Sequence, residues 1–596
     1  MVFFHHGSKR QTIYEGSSRN TQPPKPQGDI EKQHQQFSSG KDSLRLIPLG
    51  GTGNVTKNMY VYEYRYDGII RDIMIVDCGI GFPDAEMFGV DLVLPDVRYL
   101  ENKKNLIRGL VFTHGHDDHI GGIAHLYPKL GKIPMWGTTL TAAFTNLKLA
   151  QAGIKTKVTP VTFDDTIQVG PFSVSFVHVT HSVPDAANLI IETPIGTLYH
   201  GSDFKFDFDP LDGKLSELDK ITAVGKKGVL CLLTDSLGSE RPGFTPSEQV
   251  VGLTLEKEIA LSTGKFIFTT QSSNIARIQR AIEIALRHGR QIAIFGRSMD
   301  QNIEESVKLG FMKFPRECII RDRDLKKVPP TKQFLIVAGA QGQEGSALSR
   351  IAHDDHKFVS IDEGDTVVFS ADPIPGSENN INNLIEQLYR KGARVAYSDI
   401  MEDLHVSGHG SQGDLMLMLS AIGPKYIFPM GGTYRHMMQY KRLAMELGYQ
   451  KKNILIPEEG EVLEFAPGVP PKVVEKINLE NVMIDGLGVG DVGDVVLRDR
   501  QTIATDGIVV VVVPMEKSTG KVVAEPDIIS RGFVYIKDSG GLLDKARQVV
   551  NQSLRLKKGR MIDWHFVRKQ VEHNLERFLQ KETGRTPLIV PVIVEV

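Results

Sequence analysis

The chain has 596 residues, of which 41% are hydrophobic and 24% are charged, and its net charge at pH 7 is −2. These values are ordinary for a globular protein of several domains, and they exclude a surface that is basic overall. Any polyanion would have to bind in a groove where positive potential is focused. The three cysteines are scattered and odd in number, which argues against a disulfide framework and favours the cytoplasm. No apolar run is long enough to cross a bilayer, so we expect no membrane partner.

The first segment, residues 1–42, is rich in Gln, Ser, Pro, Lys and Gly and poor in apolar residues. Such a composition cannot bury enough apolar surface to fold, so we predict a disordered N-terminal extension. Predicted strands and helices alternate from residue 43 to residue 236. This alternation is typical of an α/β domain.

The most informative motif follows a largely apolar stretch from Leu106 to Phe112, which predicts a buried strand. It has the sequence His-Gly-His-Asp-Asp-His and occupies residues 114–119. Imidazole and carboxylate groups suit Zn²⁺ or Mn²⁺, and a hydrolytic site leaves one coordination position open for water. A polar loop with surface histidines is the alternative, but clusters of this spacing after a buried strand are rare by chance. The motif therefore predicts a hydrolase with two adjacent metal ions.

Further ligands are expected where other predicted strands end. Asp77, His181 and Asp203 each follow such a strand. Taken singly, they have structural explanations as a strand cap, a buried histidine and a turn residue. We expect Asp77 to orient a ligating imidazole through a hydrogen bond. The predicted ligands are His114, His116 and His181 for the first ion, Asp118 and His119 for the second, and Asp203 as the bridge between them.

A region of βαβ character follows, from residue 237 to residue 376. It contains a predicted strand at 265–269, a predicted helix at 275–288 and a predicted strand at 291–295. Such alternation predicts a parallel sheet covered by helices. We expect residues 377–455 to resume the first domain. Residues 456–490 carry prolines and glycines and are predicted to form a linker.

The last segment, residues 491–596, predicts a small α+β domain. Its predicted elements are an apolar strand at 507–514, helices near 542–556 and 562–581, and a closing strand at 587–596. The run from Gly488 to Gly493 has the glycine spacing of a dinucleotide-binding fingerprint. A true fingerprint opens a helix, whereas Val495 to Leu497 predicts a strand, so we reject nucleotide binding there.

The chain resembles the ribonuclease J family, in the β-CASP branch of the metallo-β-lactamase superfamily, from about Leu44 to Val596. The phrases that carry this resemblance include HGHDDHIGG at 114–122, HSVPDA at 181–186, GSDFKFD at 201–207, TDSLGSERPG at 234–243, HVSGHGSQ at 405–412 and PDIISRGFVY at 526–535. Their joint order is highly specific. The resemblance implies a metallo-β-lactamase αββα sandwich with an inserted β-CASP α/β domain, which faces the metal site across a cleft, and a small C-terminal α+β domain.

The same resemblance implies a metal-dependent ribonuclease that hydrolyses RNA phosphodiester bonds, as an endonuclease and as a 5′-to-3′ exonuclease, in RNA processing and decay. Two Zn²⁺ ions are expected, with Mn²⁺ or Mg²⁺ as alternatives. RNA is the expected partner, in a homodimer or homotetramer that involves the C-terminal domain, and a larger RNA-decay assembly is a further alternative. Small-molecule hydrolases of the same superfamily are a rival, but they are normally much shorter and lack the added domains.

Several site residues follow from the resemblance alone. His409 is expected to contact the scissile phosphate and to help protonate the leaving oxygen. Asp118 and Asp235 are expected to take part in catalysis, the latter by supporting the metal site; a strand-end cap is its alternative role. A helix N-cap is the alternative for Ser273 and Asn274. The expected RNA contacts are Ser273, Asn274, Ser407, Gly408, His409, Gly410 and Ser411.

One position departs from the family pattern. Family members carry a Pro-x-His-Gly-x-Tyr-Arg run, and here glycine, Gly431, stands where the histidine is expected. The second ion would then rest on Asp118, His119, Asp203 and water, and we expect it to bind weakly. His436 is the nearest replacement in sequence, but we expect it to lie in the next helix and to face away. This departure keeps open an RNA-binding or scaffold protein with weakened catalysis.

Overall fold

A computed structural model describes residues 42–84, 86–374, 376–486, 488–490, 492–516, 522–533, 540–554 and 564–596. The predicted disordered extension lies outside these residues, except for Asp42. The structure contradicts the prediction at Asp42, because this residue is buried and begins a strand that pairs with Tyr66.

Two β-sheets stack face to face and form the first domain, here called the metal domain. The larger sheet has eight strands, in the order Val469–Lys476, Glu461–Ala466, Asp42–Gly50, Met59–Tyr66, Ile69–Val76, Ile107–Val111, Met135–Thr138 and Thr159–Val161. The smaller sheet has six, in the order Tyr426–Met430, Cys231–Asp235, Gly196–Gly201, Ala187–Thr193, Phe172–His178 and Thr166–Val169. Side chains alternate across each strand, so Leu44 and Met74 of one sheet share a core with Phe172 and Phe428 of the other.

Helices cover both outer faces of this pair of sheets. Those on the larger sheet are Ile123–Leu130 and Thr139–Gln151, and those on the smaller sheet are Leu218–Lys227, Gln412–Ile422 and Tyr434–Glu446. Two single-turn helices, Arg98–Glu101 and Asp117–Ile120, lie in loops that follow strands. The layers follow the order helix, sheet, sheet, helix, so the predicted αββα sandwich is confirmed.

The prediction of a linker over residues 456–490 was wrong for most of this segment. Glu461–Ala466 pairs antiparallel with the first strand, where Leu44 lies opposite Phe465, and Val469–Lys476 adds the edge strand. Val482–Asp485 pairs with Leu92–Leu94 in a small separate sheet. The local composition is that of a linker. The residues with which these strands pair lie far away in the chain, so the local sequence does not reveal the pairing.

The inserted domain has a sheet of five parallel strands with helices on both faces. The strand order is Gln291–Phe295, Gln333–Val337, Phe266–Thr269, Thr366–Phe369 and Arg394–Ala396. The covering helices are Gln249–Leu261, Ile275–Arg287, Arg297–Lys308, Ala347–Ala352 and Glu378–Arg390. The three elements predicted between residues 265 and 295 are confirmed to within one residue.

The predicted end of the inserted domain at residue 376 was too early. Helix Glu378–Arg390 buries Ile381, Leu384 and Leu388 in the core of the five-stranded sheet. Strand Arg394–Ala396 pairs with Thr366–Phe369. Residues 377–396 therefore complete the inserted domain before the chain returns to the metal domain.

The C-terminal domain has three strands, Asp527–Arg531, Ile508–Met515 and Leu588–Glu595, packed against the helices Gly540–Leu554 and Trp564–Thr583. The elements predicted here are confirmed to within two residues, except that residues 555–556 and 562–563 of the two predicted helices lie outside the described residues. The strand predicted at Val495 to Leu497 was wrong, because these residues belong to helix Asp494–Asp506. Within the described ranges, the longest apolar helical stretches fall short of what a membrane span requires.

Candidate metal centre

The first candidate metal group combines three imidazoles and one carboxylate. His116 Nδ1 lies 3.1 Å from His114 Nε2 and 3.1 Å from His181 Nε2. Asp203 Oδ2 lies 3.6 Å from His114 Nε2 and 3.8 Å from His181 Nε2. Ligand atoms on a tetrahedral zinc ion are separated by about 3.3 Å when the metal–ligand bonds are about 2.0 Å long. The four side chains therefore fit such an ion.

The protonation of these histidines also suits metal binding. Burial lowers the pKa of His116 to about 3, and it holds the pKa values of His114 and His181 well below the ordinary range. The imidazoles are consequently neutral at physiological pH, which is the form that binds a metal ion. His181 Nδ1 donates a hydrogen bond to the Gly408 carbonyl at 2.7 Å, which leaves Nε2 directed at the group.

The second candidate group shares Asp203 with the first and adds Asp118 and His119. His119 Nε2 lies 3.3 Å from Asp203 Oδ2 and 3.6 Å from Asp118 Oδ2. Burial alone would lower the pKa of His119, but the carboxylates of Asp203, Asp118 and Asp77 together raise it well above the ordinary value. Three carboxylates around one buried position favour a cation there, and a divalent ion would replace the proton.

Asp77 fixes the orientation of His119. It closes strand Ile69–Val76 with a positive φ of 60° and is fully buried. One of its oxygens accepts from the Thr113 amide at 2.8 Å, and the other accepts from the Thr113 hydroxyl at 2.8 Å and from His119 Nδ1 at 2.7 Å. This contact fixes the tautomer of His119, which presents Nε2 to the second group.

His409 and Asp235 form a hydrogen-bonded pair at the edge of the metal centre, next to the two candidate metal groups. His409 Nδ1 donates to Asp235 Oδ2 at 2.7 Å, and His409 Nε2 lies 3.9 Å from Asp203 Oδ2. Burial would lower the pKa of His409, but Asp235 and Asp203 raise it to about 9. Burial raises the pKa of Asp235, against the opposing effect of His409. The pair holds a proton on His409 beside the metal groups at neutral pH.

Gly431 lies beside the candidate metal groups and has no side chain to contribute as a ligand. Its φ is +64°, and a Cβ atom added there would lie 3.6 Å from Asp235 Oδ1 and 3.7 Å from Asp203 Oδ1. A histidine at this position would thus point towards the second group. His436 lies in helix Tyr434–Glu446, as predicted, and its Nδ1 contacts the Thr433 hydroxyl at 3.1 Å. It does not replace the missing ligand.

A cleft of about 950 Å³ separates the metal domain from the inserted domain. His116, Asp118 and Asp203 lie on one wall, while Ser273 and Arg297 lie on the opposite wall. Two walls of this kind can hold an extended chain between them. The predicted contacts that line the cleft are Ser273, Asn274, Ser407, Gly408 and His409.

The structure places Gly410 and Ser411 outside the cleft lining. Ser411 is buried and caps helix Gln412–Ile422 together with Asp414. Gly410 donates its amide to the Phe204 carbonyl at 2.6 Å. The loop turns inward after His409 to begin the helix, so the lining of the cleft does not support the prediction of these two residues as RNA contacts. Asn274 reaches the cleft, but its side chain also accepts from the Arg277 amide at 3.2 Å, as the N-cap alternative required.

Sequence reasoning missed two residues of this region. Asn58 Nδ2 lies 3.1 Å from His119 Nε2 and 3.5 Å from Asp118 Oδ2, at the second group. Arg277 is buried and donates to the Val406 carbonyl at 2.9 Å and to Glu248 at 2.7 Å and 3.0 Å, so it anchors the loop that carries His409. Its sequence signal is a cation four residues before buried Ala281, on the apolar face of its helix.

Four family models match successive parts of the chain. Residues 55–269 match the metallo-beta-lactamase superfamily, and residues 263–388 match the ribonuclease J beta-CASP domain. Residues 396–457 match the Zn-dependent metallo-hydrolase RNA specificity domain, and residues 495–596 match the ribonuclease J C-terminal domain.

Relatives that are named ribonuclease J match the chain over almost its whole length. The chain is 38% identical to ribonuclease J2 of Bacillus subtilis over 558 residues, which cover 93% of this chain and 99% of that protein. It is 38% identical to ribonuclease J 1 of Streptococcus pyogenes, with 93% and 98% covered. Ribonuclease J of Thermus thermophilus is 36% identical, with 96% of this chain and 99% of the relative covered.

Proposed function

The chain belongs to the ribonuclease J family of the metallo-β-lactamase superfamily, and on this premise we propose that it hydrolyses RNA phosphodiester bonds both internally and from the 5′ end. The observation that carries the proposal is the convergence of two ligand groups on Asp203 at the floor of the cleft. A phosphodiester in the cleft would lie against both groups and His409.

The residues suit two metal ions that bind with unequal affinity. His114, His116, His181 and Asp203 would hold the first, and Asp118, His119 and Asp203 the second. Bound divalent ions supply Lewis-acid polarisation and a water nucleophile at neutral pH. We propose Zn²⁺ because the first group is rich in imidazole, with Mn²⁺ or Mg²⁺ as alternatives at the carboxylate-rich second group.

His409 is the proposed proton donor. Its Nδ1 is occupied by Asp235, so Nε2 is the atom that faces the cleft side of the centre. A raised pKa keeps the ring protonated, which allows Nε2 to contact the scissile phosphate and to protonate the leaving oxygen. Asp235 acts through His409, because its other oxygen accepts from the Leu237 amide at 2.8 Å.

RNA contacts are proposed along both walls of the cleft. Ser273 and Ser407 offer hydroxyl groups to phosphate oxygens, and Gly408 allows close approach of the backbone. A Cβ atom on Gly408 would lie 2.7 Å from His181 Cε1, so a larger residue would displace a proposed metal ligand. These contacts bind the backbone and carry no base specificity.

A second candidate is an RNA-binding scaffold with weakened catalysis, and Gly431 is the observation that favours it. The second group has three ligands where the family pattern implies a fourth. Metal content and cleavage, measured on one preparation, separate the candidates. About two ions per chain with RNA cleavage would support the enzyme. Retained RNA binding without metal or cleavage would support the scaffold.

The two cleavage modes are distinguished by their products. A 5′-monophosphorylated RNA labelled at its 5′ end should release labelled mononucleotide, whereas the same RNA with a blocked 5′ end should yield only internal fragments. If no internal fragment forms from the blocked RNA, the endonuclease part of the proposal fails. If no mononucleotide forms from the free end, the exonuclease part fails.

We further propose a homodimer or homotetramer that works in cytoplasmic RNA processing and decay. One face of the C-terminal sheet is apolar and only partly covered, with Val510 and Val512 beside Val590 and Val592. Such a face is typical of a subunit interface. The buried free cysteines Cys78, Cys231 and Cys318 suit a reducing compartment. Light scattering of the full chain tests the oligomer, and co-purification with other decay enzymes tests a larger assembly.

A further inference from the structure

A second concave surface, here called the edge groove, lies on the inserted domain beyond the catalytic cleft. It has a volume of about 810 Å³ and lies where strand Gln291–Phe295, the edge strand of the five-stranded sheet, ends. Residues 319–323 form one side, and residues 356–358 form another. The mechanism proposed above uses none of these segments.

The edge groove has an excess of positive charge. Five cationic side chains line it, against the carboxylates of Asp300 and Asp322; the cations are Arg297, Arg321, Arg323, Arg350 and Lys357. Within the residues that the structure describes, Arg323 forms an ion pair with Asp324 at 3.9 Å, and the other four cations form none. The chain as a whole has a net charge of −2, so this local excess creates a focused positive potential.

Aromatic rings lie beside these cations. The ring of Phe295 is itself buried and supports the partly buried ring of His356 edge to face at 5.1 Å, while the rings of His356 and the partly buried Phe358 are 6.4 Å apart. Lys357 Nζ lies 5.2 Å from the centre of the Phe358 ring. Unpaired cations together with aromatic rings are the combination that binds single-stranded nucleic acid, because phosphates pair with the cations and bases stack on the rings.

The edge groove adjoins the catalytic cleft. Gly296, Arg297 and Arg350 line both cavities. A strand that leaves the cleft past these three residues would reach the edge groove next. Resting on the proposed ribonuclease function, we propose that the edge groove binds nucleotides of a single-stranded RNA whose backbone continues from the cleft.

The test compares RNA of two lengths on the full-length, metal-loaded protein. Phosphorothioate-linked RNAs of about 4 and about 16 nucleotides, the range occupied by single-strand binding folds, would be titrated by fluorescence anisotropy. The variant Arg321→Glu/Lys357→Glu changes two cations that line only the edge groove. Its matched control is Lys326→Glu/Lys332→Glu, because these two lysines are exposed and lie outside both cavities.

We expect the groove variant to bind the longer RNA on the order of tenfold more weakly near 0.1 M salt, because it loses about two phosphate contacts. The slope of log Kd against log salt should fall by about 1.4, since each contact on a single strand contributes about 0.7. Binding of the short RNA and all binding by the control should not change. Equal weakening for both lengths, or for the control, would overturn the proposal.

A second arm distinguishes RNA from free nucleotide. Adenosine 5′-monophosphate would be titrated against the parent and the groove variant. If the variant loses affinity for this mononucleotide but not for the longer RNA, the groove is a free-nucleotide site and the proposal is wrong. If the parent cleaves no RNA yet the length-dependent loss remains, the ribonuclease assignment fails while the edge groove stands.

Discussion

His409 and Asp235 are joined by a hydrogen bond of 2.7 Å, although 174 residues separate them in the chain. The metal domain supplies Asp235 at the end of one strand, and the loop after the inserted domain supplies His409. The inserted domain lies between them in sequence, so its folding must return the chain to within hydrogen-bonding distance of the metal centre.

The first prediction concerns this pair. Asp235→Asn removes the carboxylate that helps to raise the pKa of His409 to about 9. The ring should then lose its proton at a lower pH, so the alkaline limb of the pH–rate profile should move down. We expect kcat to fall by about 10²-fold or more, the usual contribution of a positioned acid, with little change in RNA affinity. Asp164→Asn, on an exposed carboxylate, is the control. An unchanged profile would show that Asp235 does not act through His409.

The second prediction concerns the first metal group. His114→Ala or His116→Ala should abolish RNA cleavage and reduce the bound metal per chain, because each removes one of four converging ligands. Circular dichroism should show that the fold is largely retained. His125→Ala is the matched control, since His125 belongs to none of the candidate metal groups in the described residues. Cleavage at more than a few per cent of the parent rate would contradict the ligand assignment.

The third prediction concerns Gly431. Gly431→His should add a ligand to the second group and tighten its metal by roughly 10- to 100-fold. The left-handed φ of +64° should at the same time lower the free energy of unfolding by about 1 kcal/mol. Gly431→Ala carries the same strain without a ligand, so it isolates the metal effect. If chelation removes both ions together from the parent, and the histidine changes neither, the second site is not weakened by this glycine.

The fourth prediction concerns Arg277. Arg277→Met should lower the free energy of unfolding by about 3–5 kcal/mol, because it leaves the Glu248 carboxylate buried without its main partner. The double variant Arg277→Met/Glu248→Gln should recover part of this loss. Cleavage by the double variant should remain impaired, because the carbonyl of Val406 loses its anchor. Full recovery of cleavage would show that Arg277 does not position the loop.

The fifth prediction concerns residues 1–40. Deletion of this segment should leave cleavage of a short RNA nearly unchanged, because its composition cannot build a core and it contains none of the proposed ligands. The measurement is the cleavage rate of an oligonucleotide that fits within the cleft. A large loss would show that the segment contributes to the catalytic cleft.

Most residues of the candidate metal centre could be predicted, because they lie in short motifs that the local sequence reveals. Four of the proposed ligand positions lie within residues 114–119, and His181 and Asp203 stand at the ends of predicted strands. Sheet membership was harder to predict. The linker assignment failed because strand Glu461–Ala466 is defined by its pairing with residues more than 400 positions away, which no local composition reports.

The positions of individual side chains within loops could not be predicted from the sequence either. Ser407 and Ser411 stand at the two ends of one short run, yet only Ser407 lines the cleft while Ser411 caps a helix. The difference depends on the inward turn of the chain at Gly410, which only the tertiary structure defines. Asn58 and Arg277 were missed for a related reason, since each acts through a contact distant in sequence.

The pairing of Ser43 with Glu464, across 421 residues, also has a consequence for synthesis on the ribosome. The first strand leaves the exit tunnel long before its outer neighbour, Glu461–Ala466, which is translated more than 400 residues later. The inserted domain is complete sooner and can fold first, because its strands all lie between Phe266 and Ala396. Until then, one edge of strand Asp42–Gly50 has no pairing partner. A nascent chain stalled before Glu461 would therefore expose an unpaired strand edge that is prone to aggregation.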